Sequence, residues 1–156
     1  MLKQITKLTI EADGRYASDE ELEFVQDYLD SVDLRINTYE KIRDKSEEVL
    51  DKTKASMEAK NPNIFVRGKK DLGAIWHRDV TIVLRCSVAA MLVNDLDWLR
   101  DSLLLWHRTI VTANKTNHIS DATYSLMPEV MQEFLGNDEI ELILPVLQLN
   151  QSILTS

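Results

Sequence analysis

The sequence predicts an all-α protein, and three observations carry that expectation. Four glycines and three prolines in 156 residues leave little turn chemistry. No sustained period-2 alternation marks a strand, and apolar residues recur three and four positions apart along most of the chain. At 44% hydrophobic and 28% charged residues, the composition suits a soluble domain long enough to bury one sizeable core. No apolar run approaches the roughly 18 to 20 residues of a spanning helix, and the N-terminus lacks the basic and apolar regions of a signal peptide. The expected location is cytoplasmic, without membrane insertion.

The elements follow in order. Leu2, Ile5, Leu8 and Ile10 form an apolar N-terminal segment too short to stand alone as a helix in water, so it must dock on something. Ser18 with Glu21 three positions later is a capping-box signature. It opens a helix whose Leu22, Val25, Leu29 and Val32 share one face, broadened by Tyr28. From Leu34, the residues Ile36, Tyr39, Ile42, Val49 and Leu50 continue the pattern to about Ala59, and Asn61-Pro62-Asn63 ends it. Phe65 to Lys70, with Gly68 in a basic patch, reads as a loop. Leu72 to Val93 reads as a buried central helix carrying Ile75, Trp76, Val80, Val83, Leu84, Val88, Met91 and Leu92. Beyond Asn94-Asp95, a second apolar helix runs from Leu96 through Leu99, Leu103, Leu105 and Trp106 to about Val111. Thr112 to His118 is a polar connection, after which Ser120 or Asp121 can cap a helix that stops near Gly136. Pro128 predicts a kink or break within it, and Pro145 a bend in a last helix opened by Asn137-Asp138-Glu139. No repeat, linker or low-complexity tract divides the chain, which reads as one domain over 1–156.

Several function classes are disfavoured. The formal charge is −8, acidic residues crowd Asp19 to Asp51, and the dispersed bases form no stripe, which argues against nucleic acid and anionic lipid. Cys86 stands alone, so there is no internal disulfide framework or Cys-rich metal site, and on an apolar helix face it reads as a buried packing thiol. His77, His107 and His118 have no metal-ligand spacing, so no metal site is expected. Gly68 and Gly73 form no phosphate-cradling loop, and no nucleophile stands with a base. An enzyme is not expected.

Trp76-His77-Arg78-Asp79, followed by Leu84-Arg85, resembles the pigment helix of the phycobiliproteins, the bilin-bearing light-harvesting proteins of cyanobacteria and red algae. There the first turns usually read Cys-x-Arg-Asp, with the Cys joined to a bilin and the Arg and Asp holding its propionate and pyrrole nitrogens. The resemblance covers nearly the whole chain. Glu11-Ala12-Asp13-Gly14-Arg15-Tyr16-Ala17-Ser18 with Glu21-Leu22 is similar to the family's N-terminal pattern, Asn61-Pro62 to its mid-chain turn, and Asp95 and Arg108 fall at family spacing. The pattern is most similar to that of allophycocyanin.

The resemblance implies a globin-like helical domain over about 33–156, preceded by a helical hairpin over about 1–32 that packs on a partner subunit. It implies an assembly surface in which an acid, here Asp13, pairs across the subunit interface with Arg85, next to Arg15 and Tyr16. It also implies a bilin pocket at Arg78 and Asp79. Trp76 stands at the thiol position, however, and Ile82 and Val83 stand where tyrosines usually flank the pigment. An indole offers no thioether. Cys86, ten residues on, lies about 15 Å along the helix and on another face. The expected protein is therefore a phycobilisome-related subunit without a covalent bilin, acting in antenna structure or assembly. Its partners would be itself or other phycobiliprotein subunits, at the cytoplasmic face of the thylakoid. Two alternatives stay open: a sensor or carrier binding a bilin or haem non-covalently, and a ligand-free interaction adaptor, which a pocket filled by Trp76 would favour. For haem ligation His77 is poorly placed, because it points about 100° away from its neighbour Trp76 around the helix.

Overall fold

A computed structural model describes residues 2–155; the side chain of Leu2 lies outside the described set. Among the described residues seven α-helices follow one another: α1 (Leu2–Glu11), α2 (Asp19–Lys60), α3 (Gly73–Val93), α4 (Leu96–Leu99), α5 (Leu105–Ala113), α6 (Asn117–Gln132) and α7 (Asn137–Leu154). A π-helical turn, Arg100–Leu104, joins α4 to α5. The expected loop after Asn61-Pro62 contains a two-residue antiparallel ribbon, Val66–Arg67 against Lys70–Asp71, turned at Gly68 with φ +62°. The all-α class holds.

The capping box is formed in full. Ser18 Oγ accepts from the Glu21 N–H, and the Glu21 carboxylate accepts from the Ser18 N–H at 2.8 Å. From there α2 runs without a break through residues 32 and 33, where the hairpin and core regions were expected to meet. Contacts with a distant helix end hold its middle. Tyr28 donates to the Leu92 carbonyl at 3.1 Å, and Arg35, stacked over the Tyr28 ring at 5.5 Å, donates to the Met91 carbonyl. These are last-turn carbonyls of α3, which lack partners within their own helix.

The core lies where α2 packs on α3 and α6, and where α7 closes against α6 and α3. Leu50 and Met57 from α2, Val83 and Met91 from α3, Met131 from α6 and Ile143 from α7 are essentially inaccessible to solvent. Inside this apolar packing, Asn150 of α7 donates to Ser87 of α3 at 2.8 Å. α1 buries much less: Ile5 and Ile10 remain 39% and 71% exposed, and Lys3 reaches the body through an exposed ion pair to Asp101 at 3.3 Å.

Two expectations need correction and one is narrowed. α6 starts at Asn117, ahead of Ser120 and Asp121, and Thr116 precedes it without a side-chain cap bond. Ser120 instead faces inward and donates to the Leu154 carbonyl at 2.7 Å. Helix α6 also continues past Pro128 to Gln132, and α7 past Pro145 to Leu154, so neither proline ends its helix. A proline removes one backbone bond, and the buried faces of both helices supply enough packing to carry them through it. Cys86 is half-buried rather than buried, and that burial pushes its thiol pKa up, which keeps it protonated and unreactive.

Candidate functional site

The first turns of α3, the end of α5 and the start of α6 enclose a cleft of about 310 Å³. Trp76, Arg78 and Asp79 come together in its wall, as the sequence predicts. Trp76 is 5% exposed. Its indole N–H donates to Thr123 Oγ1 at 2.9 Å, and its ring meets that of Phe65 at 5.2 Å between centroids. Thr123 in turn donates to the Ile119 carbonyl at 2.7 Å, which leaves its oxygen lone pairs for the indole. The indole is thus a packed, hydrogen-bonded part of the core.

Arg78 and Asp79 hold one another. The guanidinium reaches Asp79 Oδ1 through Nε at 2.9 Å and Nη2 at 2.8 Å, with Arg78 largely exposed and Asp79 largely covered. Arg67, from the ribbon, also lines the cleft and donates to the Asn114 carbonyl at 2.6 Å.

Two polar groups of the cleft escaped the sequence reading. Tyr124 is 3% exposed, and its hydroxyl is buried without a hydrogen-bond partner. Burial, reinforced by the nearby Asp79 charge, raises its pKa and keeps the phenol protonated, a donor with nothing to donate to. His107 is 8% exposed; burial lowers its pKa, with Asp79 acting weakly in the opposite direction, so the imidazole is biased to its neutral form. Tyr124 carried a sequence signal, since it lies four residues after Ser120 on the inner face of α6. His107 did not. Its inward position follows from the π-helical turn: the buried positions step from Leu99 to Leu104, five residues rather than three or four, and then to His107. A π turn inserts one residue into the helical register and often marks a functional site.

Ile82 and Val83 do not line the cleft. Val83 is in the core at 1% exposure and Ile82 is on the outer face at 45%. His77 also lies elsewhere, at 3.1 Å from Glu47 of α2. His118 is exposed. Among the described residues no group of three or more His, Cys, Asp or Glu gathers as a metal site.

The expected assembly residues divide into two kinds. Arg15 folds back on its own chain, gripping Glu21 through two contacts at 2.6 and 2.8 Å and the Tyr16 carbonyl at 3.0 Å. The Arg15 hydrogen bonds, followed by the Ser18 N–H, hold the Glu21 carboxyl down at about 2. Asp13, Tyr16 and Arg85 are exposed, Tyr16 at 98%. Neither the Asp13 nor the Arg85 side chain has a hydrogen bond or ion pair among the described residues. Leu22, Leu29 and Ile36, seven residues apart along α2, stay 42%, 55% and 44% exposed. That is an apolar stripe on the same helix face.

At the position where the resemblance expects an attachment thiol stands an indole whose one polar atom is committed to Thr123, and Cys86 lies outside the cleft wall. No helix among the described residues is long and apolar enough to cross a membrane. No curated protein matches the chain. The model of the phycobilisome protein family matches residues 7–147, from α1 into α7, and with its globin-like all-α fold the chain belongs to that family.

Proposed function

We propose that this chain is an allophycocyanin-like subunit of a light-harvesting antenna that serves assembly rather than light capture and carries no covalently bound bilin. The observation that carries the reading is Trp76: at the attachment position it is buried, hydrogen-bonded to Thr123 and packed on Phe65, so the space is filled as core. The family's antenna role supplies the setting. The exposed stripe Leu22, Leu29, Ile36, with Tyr16, Asp13 and Arg85, supplies the surface on which a second copy or another phycobiliprotein subunit docks. Through that assembly the protein reaches the cytoplasmic face of the thylakoid.

Co-production with bilin-synthesising and bilin-attaching enzymes tests this reading. The purified chain is expected to migrate without a coloured band in denaturing electrophoresis, and to associate in solution with itself or with phycobiliprotein subunits. A red or blue band that survives denaturation, or a strict monomer that ignores such subunits at high concentration, would overturn it. The alternative of a tetrapyrrole sensor or carrier draws on Arg78 and Asp79. Those two groups satisfy each other and Trp76 takes part of the space, which favours the assembly reading.

A further inference from the structure

The two halves of α2 differ in how their charges are met. In the second half Arg43 pairs with Glu40 and Asp44, and Lys45 with Glu48. Residues 19–34 carry no base at all. Glu21 is held there by Arg15, but Asp19, Glu20, Glu23, Asp27, Asp30 and Asp33 are exposed, and none has an ion pair among the described residues. Asp19, Glu23 and Asp27 follow one another at four-residue spacing, and Asp27, Asp30 and Asp33 at three, the spacings at which like charges repel on a helix. At about 100° per residue these acids cover a face next to the apolar stripe Leu22, Leu29, Ile36. A cationic surface laid on this face would relieve the repulsion and cover part of the stripe.

Such a surface lies beyond the other end of α2. The ribbon that follows Lys60 presents Arg67, Lys69 and Lys70, and the Arg67 bond to the Asn114 carbonyl places the neighbouring Lys115 at the same corner. The nearby acid, Asp71, accepts from the Gly73 N–H. The side chains of Lys69, Lys70 and Lys115 are exposed and have no ion pair among the described residues, and Val66 adds an exposed apolar group. From Asp33 to Lys60 is about 40 Å along the helix, several times the ~10 Å Debye length at 0.1 M salt. The two patches therefore do not neutralise each other within one chain. We infer that the basic ribbon of one copy docks on the acidic face of α2, residues 19–33, in a second copy. An antiparallel pair makes this contact twice and leaves neither patch unmatched. The occupant is a second copy because one chain carries both complementary surfaces, while its net charge of −8 disfavours a polyanion on the ribbon. The contact goes beyond the assembly reading, since it needs neither Asp13 nor Arg85.

Sedimentation velocity of the full chain tests the contact. Lys69→Glu with Lys70→Glu reverses the ribbon, and Glu23→Lys with Asp27→Lys reverses the helix face. These side chains are exposed, so both variants are expected to keep the parent's helix content and Tm by circular dichroism. The parent is expected to associate at low salt and to weaken about tenfold or more at ~1 M salt, where the Debye length falls to ~3 Å. Each reversed variant alone is expected to associate about tenfold more weakly than the parent. An equimolar mixture of the two should recover the parent's association, because each carries the surface that matches the other's reversed one. Two results would overturn the inference: association unchanged by salt and by both reversals, or a mixture no stronger than either variant alone. Association that ignores both reversals but falls with Arg85→Glu keeps the assembly reading and removes this one.

Discussion

The indole N–H of Trp76 meets the hydroxyl oxygen of Thr123 at 2.9 Å, which ties α3 to α6 across the wall of the cleft. Both residues are buried, so this bond is worth more than a surface contact and its loss leaves a donor stranded. Thr123→Val keeps the shape and removes the acceptor; it should cost about 1–3 kcal/mol in urea unfolding. Trp76→Ala, which also empties the space against Phe65, should cost about 3–5 kcal/mol. If both variants unfold at the parent midpoint, Trp76 is not the core residue described here.

His107 should make stability sensitive to mild acid. Its folded pKa is depressed by burial from 6.5, with Arg67, Arg78, Asp79 and Tyr124 the other titratable or charged groups in the same cleft. Below about pH 6.5 the unfolded chain takes up a proton that the folded chain resists. The contribution is fully present above that pH and is lost as pH falls through the depressed folded value. His107→Leu should therefore narrow the difference in Tm between pH 7.5 and pH 5.5. An unchanged difference would show that His107 does not titrate in this window.

Asp13 and Arg85 are both exposed, and neither has a hydrogen bond or ion pair among the described residues, as residues waiting for a second subunit would be. Arg85→Glu should weaken association by roughly two- to five-fold, the range of an exposed ion pair. Asp13→Arg combined with Arg85→Glu should recover part of the loss in a self-assembling chain. Sedimentation velocity over a concentration series reads this directly, and association unaffected by Arg85→Glu would remove the pair from the interface.

The α1–α2 turn depends on Glu21, which serves the capping box and Arg15 together. Ser18→Ala should cost about 1 kcal/mol and raise amide exchange in the first turn of α2 while leaving α6 unchanged. Because the Glu21 carboxyl is held at about 2 rather than 4.5, the stabilisation from this turn is present above pH 4.5 and fades only as pH falls toward 2. The exchange difference between Ser18→Ala and the parent should therefore persist at pH 5. Its disappearance there would contradict the clamp.

Much of the fold was legible in the residues because local chemistry writes it. The three-and-four spacing of apolar side chains located α2 and α3, Asn137-Asp138-Glu139 the opening of α7, and the Ser18–Glu21 box set the start of α2 to the residue. The prolines do not break their helices, since the backbone bond a proline removes is a local quantity while the packing that carries a helix past it is not. The start of α6 misled for a related reason: Ser120 looks like a cap but is spent on Leu154, thirty-four residues away.

The candidate site divides along the same line. Trp76, Arg78 and Asp79 are neighbours on one helix, so their grouping can be read in the chain itself. Tyr124 and His107 enter the cleft from two other helices, and His107 does so through a π-helical turn whose extra residue no simple period anticipates. Ile82 turns to the outer face of α3, while Val83, on the same face as Asp79 and Val80 but a turn further along, packs into the core beyond the cleft. Helix existence and the motif are short-range properties, set by spacing along the backbone. The cleft's charge, its remaining volume and its unpartnered hydroxyl arise from side chains that meet only once α3, α5 and α6 have packed.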